Sequence, residues 1–264
     1  MSTKELDNFK ESGDFIQSLD RGLQVIQAFS QNNKALTISD VSKITCLSRP
    51  TARRILLTLE HLGFAEANNG VFSLTARTLS LGYAYLSSNN KWSIAHSFMR
   101  DFVNKTGESC SISILDGTDI IYVARVSTKR IMSINLDVGS KLPAYATSMG
   151  HVLLANLPKE ALEKYLTNLN PEKFTDKTIL DKDHLRITLE DVRKKNWGGV
   201  DQQFEEGLRS IAVPLRDANG KVIAAINCSA HAGRISKEVI TKEFLPLLQE
   251  NAERISEAMA ITNR

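Results

Sequence analysis

One predicted helix, with three arginines, no acid in its opening turns and an apolar stripe behind, constrains this chain more than any other feature. It lies in residues 37–75, TISDVSKITCLSRPTARRILLTLEHLGFAEANNGVFSLT. Ala52, Ile55, Leu56, Leu59 and Leu62 recur at spacings of three and four, which predicts one buried helical stripe. Arg49 and Arg53, four residues apart, share another face, with Thr51 and Arg54 beside them. Ser48 stands where an N-cap belongs, and Pro50 falls in the first turn, where a missing N–H is harmless. Gly63 supplies a C′ stop. Upstream, 37–44 reads as a short helix with Ile38, Val41 and Ile44 turned inward, and Cys46-Leu47 makes the connection. Downstream, 64–67 and 71–74 flank Asn68-Asn69-Gly70, a hairpin signal. An arginine-rich helix face is often only solvated surface. The order helix, turn, helix, hairpin is that of a winged helix, and it turns this face into a DNA-reading surface. Arg49 and Arg53 are then expected at base edges, Thr51 and Arg54 at phosphate or sugar, with Ser48 at the helix start.

The net charge is only +3, from 33 basic and 30 acidic residues, so no basic coat surrounds the chain. The charge is local instead: between residues 41 and 58 stand Lys43, Arg49, Arg53 and Arg54 and no acid. Hydrophobic residues make up 42% of the 264, enough for two cored domains. Cys46, Cys110 and Cys228 are widely spaced with no CxxC, which predicts reduced structural thiols and no metal site. Residues 1–15 lack the apolar core of a secretion signal, and no run of eighteen apolar residues could span a bilayer. A cytoplasmic protein with no membrane partner is expected.

Four segments follow. Residues 1–14 read as a disordered tail. Residues 15–78 form the winged helix-turn-helix, opening with an amphipathic helix carrying Leu19, Leu23, Val25, Ile26 and Phe29 behind a Ser18 cap. Residues 79–90 are a linker helix, with Leu79, Tyr83 and Leu86 on one side. Residues 91–264 form an α/β domain with a mixed sheet, so the whole is α+β. Its strands are expected at 110–115, 120–126, 131–138, 208–216 and 222–229, with helices at 148–156, 159–166, 182–196 and 236–260.

The segments FIQSLDRGLQVIQAF, LGYAYLSS, LDGTDIIYVARVSTKRIMSINLDVGSKLPAYATSMGHVLLA and EEGLRSIAVPLRDANGKVIAAINCSAH resemble the IclR family of bacterial transcriptional regulators. The similarity runs from about Ile16 to Ile261 and is strongest to the branch governing protocatechuate and 4-hydroxybenzoate catabolism. It implies a GAF-like effector-binding domain behind the linker, no cofactor, double-stranded operator DNA as partner, and a homodimer or tetramer. The effector it implies is a small aromatic or dicarboxylic acid of the protocatechuate, 4-hydroxybenzoate or β-ketoadipate class. Pocket positions of the family's glyoxylate-responsive founder fall here on Ile134, Leu142, Ser148, Met149, Asp201, Ser210, Asn227 and Ser229. Ser148, Met149 and Gly150 open a predicted helix whose free N–H groups suit a carboxylate. Ser210, Asn227 and Ser229 lie on strands, where side chains two apart share a face. An aromatic acid also needs bulkier and cationic contacts, for which Tyr122, Arg125, Arg209 and His231 are the candidates. Two departures stand out: the wing carries Glu66 and no base, and His151 replaces the basic residue usual after Ser-Met-Gly.

An enzyme is the competing class. GxSxG, HExxH, GxGxxG and P-loop patterns are all absent, and a thiol dyad of Cys110 with His151 or His231 is the remaining construction. Lone histidines at such places are more often packed or surface residues, so catalysis is not expected.

Overall fold

The computed structural model describes residues 9–10, 12–30, 33–88, 91–128 and 136–262, and divides into two units, Met1–Ser88 and Asn89–Arg264. Residues 1–8 and 11 of the expected tail, and residues 131–135 of the strand expected at 131–138, Ile134 among them, lie outside the described residues. Residues 136–138 are not strand but the approach to a turn. From Phe9 onward the tail has local contacts, its ring meeting Phe15 edge-on at 6.1 Å between centroids.

In the first unit α1 (Gln17–Gln27), α2 (Ile38–Thr45) and α3 (Arg49–His61) surround a core of Val25, Leu36, Val41, Ala52, Leu56, Leu59 and Phe72. The start of α2 is fixed by reciprocal bonds: Thr37 Oγ1 accepts from the Asp40 N–H at 3.2 Å, and Asp40 Oδ2 from the Thr37 N–H at 3.0 Å. Cys46 takes a left-handed conformation, φ 56°, to turn the chain between the two helices. A sheet of order β1-β3-β2 completes the unit, from β1 (Ala35–Thr37), β2 (Ala65–Asn68) and β3 (Val71–Leu74). Asn68 pairs with Val71, so Asn69 and Gly70 alone make the turn, both at positive φ (50° and 80°), as a twist-matched two-residue hairpin requires.

Several helix-end expectations need correction. The residue preceding α1 is Ile16 with no side-chain cap, so Ser18 is not a cap, and Leu19 and Leu23 are exposed. Ile44 and Leu62 are each 47% exposed, Ile44 in the last turn of α2 and Leu62 just beyond the end of α3. After the turn Ala76–Thr78 comes α4 (Leu79–Ser88), which buries nothing: Leu79 is 75% and Tyr83 69% exposed.

The second unit is a six-stranded sheet of order β6-β5-β4-β9-β8-β7, with helices on both faces. Its strands are β4 (Ser109–Asp116), β5 (Asp119–Val126), β6 (Lys141–Pro143), β7 (Gly198–Asp201), β8 (Leu208–Arg216) and β9 (Val222–His231). Every described pair is antiparallel, which corrects the expected mixed sheet. One face carries α5 (Lys91–Thr106) and the C-terminal α10 (Leu245–Thr262), which follows a short α9 (Lys237–Val239) and a π turn at Ile240–Phe244. The other carries α6 (Ser148–Ala155), α7 (Lys159–Asn168) and α8 (Lys182–Lys195). Alternation sorts the strands: Cys110, Ile112, Ile226 and Cys228 go to the α5–α10 core, and Ala212 and Ala225 to the α6–α8 core. A β-bulge interrupts the count. Ile112 pairs with Ala124 but Ser113 with Tyr122, so Val123 and Ala124 both enter the α5–α10 core.

Candidate functional site

The helix α3 presents Arg49, Arg53 and Arg54 to solvent, and none has a carboxylate partner among the described residues. A cationic face without internal neutralisation is open to phosphates and bases. Ser48 caps α3, accepting from the Thr51 N–H at 3.4 Å, and its Oγ lies 2.9 Å from Thr51 Oγ1. Both hydroxyls therefore have a partner within the helix start. Thr51 and Arg54 border a groove between α1 and α3, whereas Arg49 and Arg53 do not. The wing tip is acidic or neutral, with exposed Glu66 as its sole charge; the cation near its base, Arg77, stacks over Phe64 at 5.4 Å.

In the second unit a cavity opens between the sheet and the start of α6. Of the residues singled out in sequence, Tyr122, Arg125, Leu142, Ser148, Met149, Ser210, Asn227 and Ser229 line it together. The bulge explains why Tyr122 and Arg125, three apart, share this face. Its floor is polar and connected. Arg125 Nη1 donates to Ser111 Oγ at 3.1 Å, the Ser111 N–H donates to Asn227 Oδ1 at 3.1 Å, and Asn227 Nδ2 donates to Ser229 Oγ at 2.9 Å. Ser113 Oγ adds a 3.3 Å bond to Met149 Sδ. Burial pushes the Tyr122 phenol up to about 12, against the pull of nearby Arg125, so it stays a neutral hydrogen-bonding group. The cap of α6 is Thr147, whose Oγ1 takes the Gly150 N–H at 3.1 Å. No described side chain accepts from the N–H of Ser148 or Met149, which leaves the positive end of α6 at the cavity edge.

Sequence reasoning passed over Leu136, Ala146, Thr147, Val200, Phe204, Glu205 and Leu208, which also line the cavity. Phe204 and Glu205 sit in the loop between β7 and β8, where periodicity gives no signal. That loop is anchored: Thr175 Oγ1 donates to the Gln202 carbonyl at 2.6 Å and Thr178 Oγ1 to the Gln203 carbonyl at 2.7 Å. Phe204 meets the Phe174 ring at 4.8 Å.

Three candidates fall elsewhere. Arg209 neighbours Ser210 on β8, so alternation turns it away from the cavity. It donates to Asp201 Oδ1 at 2.9 Å and to the Ile235 carbonyl at 2.6 Å, which removes both Arg209 and Asp201 from the cavity wall. Lys237 joins Asp201 at 2.9 Å; burial would raise this carboxyl, but the bonds from Lys237 and Arg209 outweigh it and hold it at about 2. His231 is exposed and covers Gly207, where an added Cβ would lie 3.1 Å from its Nε2. Ile134 is outside the described residues.

The imagined dyad of Cys110 with His151 has no geometry. Cys110 belongs to the α5–α10 core, while His151 is on α6 across the sheet, and burial pushes the Cys110 thiol far above its ordinary value. His151 is itself fully buried, with Nε2 2.6 Å from the Tyr145 carbonyl. Desolvation lowers its pKa, so it adds no positive charge at the start of α6. No group of three or more metal-ligating side chains occurs among the described residues, and no helix among them is long and apolar enough to cross a membrane.

Comparison with known proteins gives two family matches, the IclR helix-turn-helix domain over residues 18–68 and the bacterial transcriptional regulator IclR C-terminal domain over residues 83–257. The Pca regulon regulatory protein of Pseudomonas putida is 41% identical over 246 residues, covering 93% of this chain and 84% of that protein. The p-hydroxybenzoate hydroxylase transcriptional activator of Acinetobacter baylyi is 33% identical, covering 92% and 91%. A transcriptional regulator from Rhodococcus sp. RHA1 superimposes with a TM-score of 0.81 at 45% identity, over 94% of this chain and all of that one (100%). The inducer-binding domain of a PobR double mutant from Acinetobacter, solved with 3-hydroxybenzoic acid, matches 62% of this chain and 97% of its own length, with a TM-score of 0.59 at 30% identity.

Proposed function

We propose, because this chain belongs to the IclR family of bacterial transcriptional regulators, that it binds an operator through α3 and answers to a small aromatic or dicarboxylic acid held in the cavity beside α6. Residues 15–78 would read DNA, 79–90 would join the two functions, and 91–264 would sense the acid. The observation that carries the sensing half is Arg125, a guanidinium in a largely apolar cavity with a serine but no carboxylate as partner among the described residues. Such a group favours an anionic guest. The relatives named for a Pca regulon and for p-hydroxybenzoate hydroxylase, and the 3-hydroxybenzoic acid complex, point to the same class. Protocatechuate, 4-hydroxybenzoate and β-ketoadipate are the first acids to try. Acting in the cytoplasm as a homodimer, or as a tetramer built from dimers, it would set two α3 helices on neighbouring half-sites. The exposed Leu79, Tyr83 and Leu86 of α4 offer an apolar dimer face.

The test is a thermal-shift screen of about a dozen such acids, followed by a gel shift on the mapped operator with and without the best one. A ligand at a hundred times its dissociation constant should add roughly 2.7 kcal/mol of stability. No shift with any acid, or unchanged operator affinity at saturation, would count against an acid-responsive regulator.

A further inference from the structure

We propose that the cavity is two-ended, with Arg125 holding a ligand carboxylate and Glu205 accepting a hydrogen bond from a ring hydroxyl, so that it selects hydroxylated aromatic monoacids and rejects dicarboxylates. This rests on the reading of the cavity as the effector site. Both side chains border the same cavity, and neither has an ion-pair partner among the described residues, each other included. Arg125 spends one N–H on Ser111 Oγ and has the rest of its fork available. Glu205 makes no side-chain hydrogen bond among the described residues.

The sheet order keeps the two charges apart. Arg125 leaves β5, and Glu205 sits in the loop entering β8, with β4 and β9 between them. Three strand spacings set β5 and β8 roughly 14 Å apart, so the two side chains enter the cavity from different sides and a ligand ring would lie between them. Leu142, Met149 and Phe204 supply apolar surface for that ring. The Thr175 and Thr178 bonds anchor the backbone of this loop at Gln202 and Gln203, just before Glu205.

An ionised carboxylate only accepts hydrogen bonds, so its complement on the ligand is a donor. A phenolic hydroxyl, neutral at pH 7, is such a donor. A second ligand carboxylate would instead meet like charge. A dicarboxylate is thereby disfavoured at the end where a hydroxybenzoate gains a bond.

The experiment is calorimetry on the full chain with benzoate, 3-hydroxybenzoate, 4-hydroxybenzoate and adipate. The better hydroxybenzoate should bind about tenfold or more tighter than benzoate, with adipate weakest. Glu205→Ala should shrink the hydroxyl advantage to about twofold while moving benzoate itself little, and Glu205→Lys should raise adipate affinity. Glu205→Gln, which keeps the shape and an acceptor, should retain part of the advantage and serves if the alanine variant misfolds. A hydroxyl advantage unchanged in both Glu205→Ala and Glu205→Gln, or adipate preferred by the wild type, would overturn the proposal. Acids that do not bind at all, or that bind equally after Arg125→Ala, would overturn the effector-site reading itself, a result distinct from loss of the hydroxyl preference alone.

Discussion

Arg53 and Arg54 are adjacent in sequence but stand about 100° apart around α3, so their losses should differ. Arg53 lies on the face shared with Arg49; Arg53→Ala should cost roughly 1–3 kcal/mol of operator affinity and relax base preference at one position. Arg54 borders the α1–α3 groove; Arg54→Ala should weaken binding to all sequences alike and flatten the salt dependence by about one counterion. Equilibrium binding to specific and scrambled duplexes at several salt concentrations separates the two. At Asp201 the prediction concerns acid. Its carboxyl is held at about 2 in the folded chain, below its unfolded value, so its stabilising effect is present above about pH 4 and fades as pH falls toward 2. Asp201→Asn should therefore narrow the gap in urea stability between pH 7 and pH 2, while effector affinity, read by calorimetry at pH 7, stays put. Residue identity was legible where the backbone period was regular: Ser210, Asn227 and Ser229 meet because side chains two apart share a face. Arg209 shows the same rule neglected, since its neighbour Ser210 already claimed the cavity side.

Elements were legible when long. The period of α3 and the Asn-Gly turn of the wing are visible in the letters alone. The strands β1, β6 and β7 were not, because three or four residues are too few for alternation to show, and sheet partners distant in sequence define them. The π turn at Ile240–Phe244 was hidden likewise, since one added residue per turn barely disturbs an apolar pattern. Gly150 joins element to site. A Cβ built there would lie 2.0 Å from the Ala144 carbonyl oxygen, so only glycine lets the first turn of α6 settle on the segment before it. Gly150→Ala should displace that turn and with it Ser148 and Met149, weakening acid binding at least tenfold by calorimetry and destabilising the unit by about 1–3 kcal/mol. Operator binding without effector should survive. If acid affinity were unchanged, the start of α6 would not be part of the binding surface.

At the scale of the whole molecule, one winged helix makes too few phosphate contacts to bind tightly at physiological salt, so two copies are expected on each operator. Tyr83→Asp, on an exposed residue of α4, a helix that buries none of its own residues, should shift light scattering toward monomer and weaken operator binding, with the fold unchanged by circular dichroism. A dimer of normal strength would place the association surface elsewhere. The remaining consequence concerns the bulge in β5. A strand is read in twos, and the extra residue at Val123–Ala124 shifts that reading by one, so Tyr122 and Arg125 fall on the same side of the sheet. Removing Val123 would leave Tyr122 and Arg125 two apart and still on one side. Inserting one residue after Ala124 would instead shift the count again and send the Arg125 guanidinium among Phe102, Ile112 and Leu248, where it has no counter-charge. Point substitutions at 123 and 124 should be absorbed as changes of volume, whereas a single insertion there is a frameshift in space that no side chain nearby can correct.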